Sequence, residues 1–317
     1  MVCYIVLGLF GIVGNLSLLC VIIGNRSLWK IVNLFIFNLS LANFLFIIFI
    51  VPLQIELEIN PCWLTSLTTC RIHFMLPVMF QSAAIFSLVA LSRERYVAII
   101  GGVHPDNQPR NSKLSLLIVT LIWLLAFLFG LPLWFLSTKP QSYMCIPYQN
   151  FGDSAARTYA LCSFVCLYLI PLCVICAHYV PIVKLLLQGI SQELTDRSTN
   201  NNAVRKRLAI IIFVITGTFA ILWLPHFIYI VFYHFASTPE NNFPQHMIYY
   251  MQVINSCLDP WVVFIMSSSY RRYLISCVKC SRFRRTVQRS SAPASTANTH
   301  HNAISCRHVS TKVMTVV

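Results

Sequence analysis

The chain has 317 residues, 57% of them hydrophobic and only 10% charged, with a formal net charge of +14 and a mean hydropathy of +0.70. A soluble domain carries about 25% charged residues, so this composition argues against a water-soluble enzyme or binding module and for a bundle of membrane helices. The positive balance does not indicate nucleic-acid binding until its placement is known, and no nucleic-acid partner is expected.

Apolar runs occupy 2–24, 31–55, 70–100, 114–136, 159–187, 208–235 and 244–266. Roughly 20 apolar residues at a rise of ~1.5 Å each cross the ~30 Å hydrocarbon core, so each run is long enough to span. No basic segment precedes the first run and no small-residue cleavage site closes it, so it reads as a spanning helix rather than a signal peptide. The third run opens on Cys70 and closes on Ser92-Arg93-Glu94-Arg95-Tyr96. Its arginines are either plain interfacial anchors or functional groups, since charge near the membrane is costly. Most of the 13 cysteines, among them Cys20, Cys162, Cys166, Cys173, Cys176 and Cys257, lie inside apolar runs and act as small apolar side chains. Metal-site spacings, HExxH and long repeats are lacking, and no cofactor is expected.

Orientation follows from Lys and Arg. The connections after the first, third and fifth runs and the tail after the seventh hold the basic residues, and only Arg71, Lys139 and Arg157 fall on the other side, so 20 of 23 share one face. That places the amino terminus outside and the carboxyl terminus in the cytosol of a multi-pass plasma-membrane protein. The net charge is mostly topology.

Past Met266, residues 268–280 put Tyr270, Tyr273, Leu274 and Cys277 on one side of a helix, a pattern for a short amphipathic helix in the interface. Cys277 and Cys280 are juxtamembrane candidates for palmitoylation, or free surface thiols. Residues 281–317 are basic, rich in Ser and Thr and poor in apolar residues, a composition for a disordered cytoplasmic tail. Its first arginines would meet anionic lipid headgroups.

The marks in these spans, in order, are Gly14-Asn15, the stretch Asn38 to Asn43, Cys70, Glu94-Arg95-Tyr96, Trp123, Pro171, Tyr179, Phe219, Trp223-Leu224-Pro225 and Asp259-Pro260. Each is weak alone. Together, each in its own span, they make the chain resemble the rhodopsin-like (class A) G-protein-coupled receptors over most of its length. The resemblance implies an all-α membrane protein, a seven-transmembrane helix bundle with a short amphipathic eighth helix on the cytoplasmic face. It implies a receptor and not an enzyme.

The same resemblance implies roles. Cys70 and Cys145 would pair, pinning the outer loop to the third span, while Cys62 stays free or forms an extra local bridge. Pro171, Pro225 and Pro260 each remove a backbone hydrogen bond and kink their helices. Phe219, Trp223 and Pro225 would convert ligand contact into an outward swing of the sixth span. Glu94 would hold Arg95 at rest, and Arg95, freed, would face a heterotrimeric G protein, steadied by Tyr179 and flanked by Tyr96. Ser and Thr in the tail would be phosphorylated by a receptor kinase and bind arrestin, and residues 315–317 would dock on a PDZ domain as an added strand.

Departures narrow the class. Asn43 stands where the family usually has Asp and Asp259 where it usually has Asn, so the pair looks exchanged, with Asn15, Asn43, Asn255, Ser256 and Asp259 in one polar network. Sodium at Asn43 and Asp259 is the alternative, against which stands Ala84, where a hydroxyl often helps. Val263 occupies the place of a tyrosine that meets Tyr179 through water, so efficacy is altered or coupling is weak. Pro77 replaces the aspartate of amine receptors, and Val253 the lysine of opsins. The expected pocket is Gln81, His226, Phe227, Ile230, Tyr249 and Gln252, mixed polar and aromatic beneath an acidic rim with Glu56, Glu58, Asp153 and Glu240. This pattern is most like neuropeptide receptors of the galanin, allatostatin or somatostatin kind. A lipid or other small-molecule receptor, or an atypical weakly coupling one, is the alternative within the family. A transporter would need charges through several spans, and Asp259 is the clear acidic residue deep in one.

Overall fold

In a run of apolar side chains the backbone finds no water to bond, so helix is the conformation that pairs every N–H and C=O within the segment. The computed structural model describes residues 2–25, 28, 31–59, 66–100, 112–138, 146–147, 152–193, 200–235 and 245–276. Helices α1 (Val2–Gly24), α2 (Ile31–Ile59), α3 (Leu67–Ile100) and α4 (Ser112–Leu136) come first. A two-residue hairpin follows, β1 (Ser137–Thr138) antiparallel to β2 (Ile146–Pro147), with Ser137 opposite Pro147 and Thr138 opposite Ile146. Then come α5 (Gly152–Phe164), a π-turn (Val165–Leu169), α6 (Ile170–Glu193), α7 (Asn200–Phe235) and α8 (Gln245–Met266). A short helix, α9, spans 268–276. Because α5, the π-turn and α6 run on as one fifth span, α7 is the sixth span and α8 the seventh.

The helices are longer than the apolar runs that announce them, most of all in the fifth and sixth spans, because helical pairing continues beyond the hydrocarbon. Six helices are long and apolar enough to cross a membrane, and α8 is not among them. Its Gln252, Asn255, Ser256 and Asp259 dilute a helix whose 22 residues still reach about 33 Å. Large apolar side chains point outward from the bundle, among them Leu116 at 65% exposure, Phe213 at 58% and Ile221 at 73%. In water such a belt would drive association, whereas in lipid it is the expected surface.

Helix α3 packs against α2, α4, α6 and α7 and is the axis of the bundle. Its centre lies in a cluster with Phe35, Leu39, Leu88, Leu91, Ile175, Ile215, Phe219 and Trp223. Three polar side chains tie α2, α3 and α4 at one depth. The Asn38 amide donates to Ser87 Oγ at 2.8 Å, and Trp123 Nε1 donates to Asn38 Oδ1 at 2.8 Å. In α1, two glycines permit close approach. A Cβ on Gly11 would sit 2.5 Å from Cys257 Sγ and 2.5 Å from Ile47 Cδ1, and one on Gly14 would lie 2.8 Å from Trp261 Nε1. Gly11→Ala is therefore expected to cost about 1–3 kcal/mol through overpacking, read as a lower melting temperature in detergent. An unchanged melt would mean that α1 and α8 separate freely.

Candidate functional site

Toward the Cys70 end, the pocket begins with the α7–α8 pair. His226 Nδ1 and Gln252 Nε2 lie 2.8 Å apart. The His226 ring meets Trp223 edge-on at 5.4 Å between centroids and Phe227 at 5.2 Å. Trp223 and Phe227 pack at 5.8 Å, and Trp223 and Phe219 at 6.1 Å. His226, Phe227 and Gln252 therefore form one connected group above the tryptophan. Gln81 is buried on α3, and its Nε2, like Trp223 Nε1, has no hydrogen-bond partner among the described residues. Tyr249 is half-buried against Phe80 and Val253 in a neighbouring cluster, and Ile230 is half-buried one turn above His226. A separate cavity of about 570 Å³ lies between α4 and α5, lined by Leu128, Phe129, Pro132, Thr158 and Tyr159, away from this group.

One member of the cluster has no place in the sequence motifs. Tyr168, in the π-turn, packs on Phe219 at 5.8 Å and on Phe227 at 5.3 Å, and its hydroxyl donates to the Ala220 carbonyl at 2.8 Å. The turn has a cause. Pro171 has no N–H to offer the Leu167 carbonyl, and just before it the Ile170 N–H donates to the Val165 carbonyl, one residue further back than in an α-helix. The extra residue rotates Tyr168 onto the sixth span. Pro171 was the available signal, since a proline four residues after a carbonyl always leaves it unpaired.

Below Trp223 the sixth span is softened. Thr218 Oγ1 donates back to the Ile215 carbonyl at 2.8 Å, a bond that bends helices. Gly217 has open space around its Cα, and Pro225 follows within two turns.

At mid-depth the exchanged pair meets. Asn43 Nδ2 donates to Asp259 Oδ2 at 2.8 Å, with both side chains almost fully buried. Asn15 Nδ2 donates to the Ser256 carbonyl at 3.0 Å and to the Gly11 carbonyl at 2.9 Å, linking α1 to α8. Asn255 shares this region, its Oδ1 without a partner among the described residues. The donor set does not fit a sodium ion: one carboxylate oxygen is taken by the Asn43 amide and Ala84 has none to give, so no step is derived through an ion.

At the Arg95 end, one expectation is corrected. Glu94 does not pair with Arg95; its Oε1 accepts from Arg93 Nη1 at 3.2 Å, facing solvent. A solvated partner at the surface spares Glu94 the desolvation that a pair with buried Arg95 would cost. Arg95 is only 6% exposed, lies within electrostatic reach of Tyr179 and Tyr270, and has no hydrogen-bond partner at Nε among the described residues. Tyr179 packs edge-on against Phe213 of α7 at 5.9 Å. Tyr96 lies 5.5 Å from the His178 ring, and Ser92 Oγ is 3.0 Å from His178 Nδ1, so α3 and α6 are joined here by side chains. Cys70 is fully buried at the far end of α3. Cys145, Cys62, Glu240, Cys277, Cys280 and the tail with residues 315–317 lie outside the described residues.

Residues 14–262 match the family model for the seven-transmembrane receptors of the rhodopsin family. The chain belongs to that family. Among its relatives this receptor is 31% identical to galanin receptor 2a of Danio rerio over 295 residues, 89% of this chain and 78% of that one. It is 29% identical to human galanin receptor type 1, covering 92% of this chain and 86% of the relative. The neuropeptide CCHamide-1 receptor of Drosophila melanogaster is 27% identical over 83% of this chain and 56% of its own length. The receptor fold explains why its markers fall one to a span: each closes a gap between two helices, as Asn15, Asn38, Asn43 and Trp123 do here.

Proposed function

We propose that this receptor binds an extracellular peptide and activates heterotrimeric G proteins through outward movement of the sixth span. The names of the galanin and CCHamide-1 receptors support the peptide. The observation that carries the mechanism is the unbroken line from Gln252 and His226 through Trp223 to Phe219 and Tyr168. A ligand group that takes the Gln252–His226 hydrogen bond for itself moves the imidazole, and the imidazole lies against the tryptophan. Trp223 sits two residues before Pro225, and the softened segment at Gly217 and Thr218 lies below it. Displacement of the ring is thereby turned into a swing of the lower half of α7. The swing uncovers Arg95 and Tyr179, which face the G protein.

The orientation that goes with this reading has the Cys70 end outside. There Cys70 would bridge to Cys145, which directly precedes the β2 strand, and β2 pairs with β1, which packs on α3. Lipidation at Cys277 and Cys280, a receptor kinase and arrestin on the tail, and a PDZ partner at 315–317 belong to the same reading on sequence grounds alone.

Nucleotide exchange on a panel of G proteins, in membranes expressing the chain and exposed to galanin, CCHamide-1 and other amidated peptides, tests it. Stimulated exchange is the expected result. Silence to every peptide, with uptake of a solute by the same membranes, would replace the receptor with a transporter. Gln252→Leu is expected to lower peptide potency about tenfold at equal surface expression, the loss of one or two buried hydrogen bonds. Unchanged potency would move the ligand away from α8.

A further inference from the structure

The seventh span ends without the tyrosine that would face Tyr179; position 263 is a valine, 2% exposed and packed in the core. The next helix supplies a phenol instead. Tyr270 is 3% exposed and its hydroxyl donates to Asn33 Oδ1 at 2.9 Å. The Asn33 amide is oriented for this, because its Nδ2 is spent on the Leu28 carbonyl at 2.7 Å, leaving Oδ1 as acceptor. With its proton committed to Asn33, the phenol oxygen keeps its lone pairs for a cation, and the Arg95 guanidinium lies within electrostatic reach.

The helix that carries Tyr270 has little freedom to move apart from α8. The Ser267 N–H donates to the Val263 carbonyl at 3.0 Å, and the Arg271 N–H to the Ser267 carbonyl at 3.2 Å, so backbone pairing runs through the junction. The Arg271 guanidinium also reaches the carbonyls of Phe264 and Ile265, groups that a helix terminus leaves unpaired and that favour a cation. Any shift of the lower end of α8 therefore carries Tyr270 with it, against α2 on one side and Arg95 on the other.

We propose that Tyr270 is the positioning residue for Arg95 in this receptor, doing from α9 what position 263 does not do from α8. Helix α9 is then part of the switch, and its attachment to Asn33 sets the place from which Arg95 meets the G protein. This rests on the coupling reading above, and the two fail differently.

The test is G-protein exchange, without ligand and with galanin, CCHamide-1 and the other amidated peptides, for wild type, Tyr270→Phe, Asn33→Ala and the double variant at matched surface expression. Tyr270→Phe removes one oxygen and keeps the buried ring, so folding and peptide binding should be unchanged while exchange falls about five- to tenfold, the effect of one hydrogen bond to a charged or oriented group. Asn33→Ala should give a similar fall, and the double variant no more than either alone, because both act through one contact. Adding Val263→Tyr to Tyr270→Phe should recover exchange, which mending a merely structural contact of α9 would not do. Wild type that signals with Tyr270→Phe and Asn33→Ala equal to it overturns the inference alone. Wild type silent on every G protein overturns the coupling reading and takes the inference with it.

Discussion

Arg95→Ala is expected to abolish G-protein activation while the receptor still folds, reaches the surface and binds peptide. Arg95 is buried at the end of α3 beside Tyr179 and Tyr270, and Glu94 is engaged elsewhere, by Arg93. Its charge is thus free of an acidic partner on its own triplet, an arrangement set up for a partner that arrives from outside the bundle. Truncating one member of a buried charged contact costs roughly 2–5 kcal/mol, which is a loss of about 30-fold or more in exchange potency. The pocket should not feel it directly. Gln81 and Arg95 lie on one helix about 21 Å apart at 1.5 Å per residue, beyond the range over which substitutions usually couple.

The assay must separate binding from coupling, because the two are linked. A G protein that raises peptide affinity does so by the same factor by which peptide raises G-protein affinity, so in native membranes Arg95→Ala would also lower apparent affinity. In purified receptor without G protein that contribution vanishes, and peptide affinity should equal wild type. Loss of binding there would make Arg95 a structural residue of α3, and retained activation would remove it from the switch. Arg95→Lys should recover little, since an ammonium cannot reproduce the planar contacts of a guanidinium.

Much of this arrangement could be read in advance because membrane solvation makes the code coarse. Apolar runs of sufficient length must be helices, and basic residues mark one face, so the spans and their order follow without any knowledge of packing. Arg95, Tyr179, Trp223 and Pro225 stood out because charge, an amphipathic ring or a missing N–H inside a span is costly and rarely idle. What could not be read is partner choice. Glu94 had two arginines at adjacent positions, and the winner was set by burial, which a triplet does not reveal. Tyr270 and Asn33 are 237 positions apart, and in the sequence Tyr270 is one aromatic on the apolar side of an amphipathic helix. Tyr168 reaches Phe219 only because the π-turn rotates it, a displacement of one residue caused by a proline further on. These contacts need the bundle assembled first.

The exchanged amide and carboxylate offer the other large effect. Asn43→Leu preserves volume but strips Asp259 of the amide that holds its Oδ2 at 2.8 Å, leaving a carboxyl that is almost fully buried without a donor from α2. Hydrogen bonds to charged groups contribute about 1.5–3 kcal/mol, so Asn43→Leu should lower the melting temperature in detergent and cut surface expression. Asp259→Asn alone leaves two amides in contact, and because each amide both donates and accepts, it should cost less. The decisive variant is the double exchange, Asn43→Asp with Asp259→Asn. If α2 and α8 require one acceptor opposite one donor and nothing more, the double variant melts within a degree or so of wild type while Asn43→Leu does not, a coupling of about 1–3 kcal/mol between the sites. A double variant as unstable as Asn43→Leu would mean that the carboxylate must sit on α8, where Asn15 already binds the Ser256 carbonyl at 3.0 Å and Cys257 Sγ donates to the Leu7 carbonyl at 3.1 Å. The polar side of α8 would then be specified as a unit with α1, and the exchange between the second and seventh spans would be fixed by α1 rather than by the pair itself.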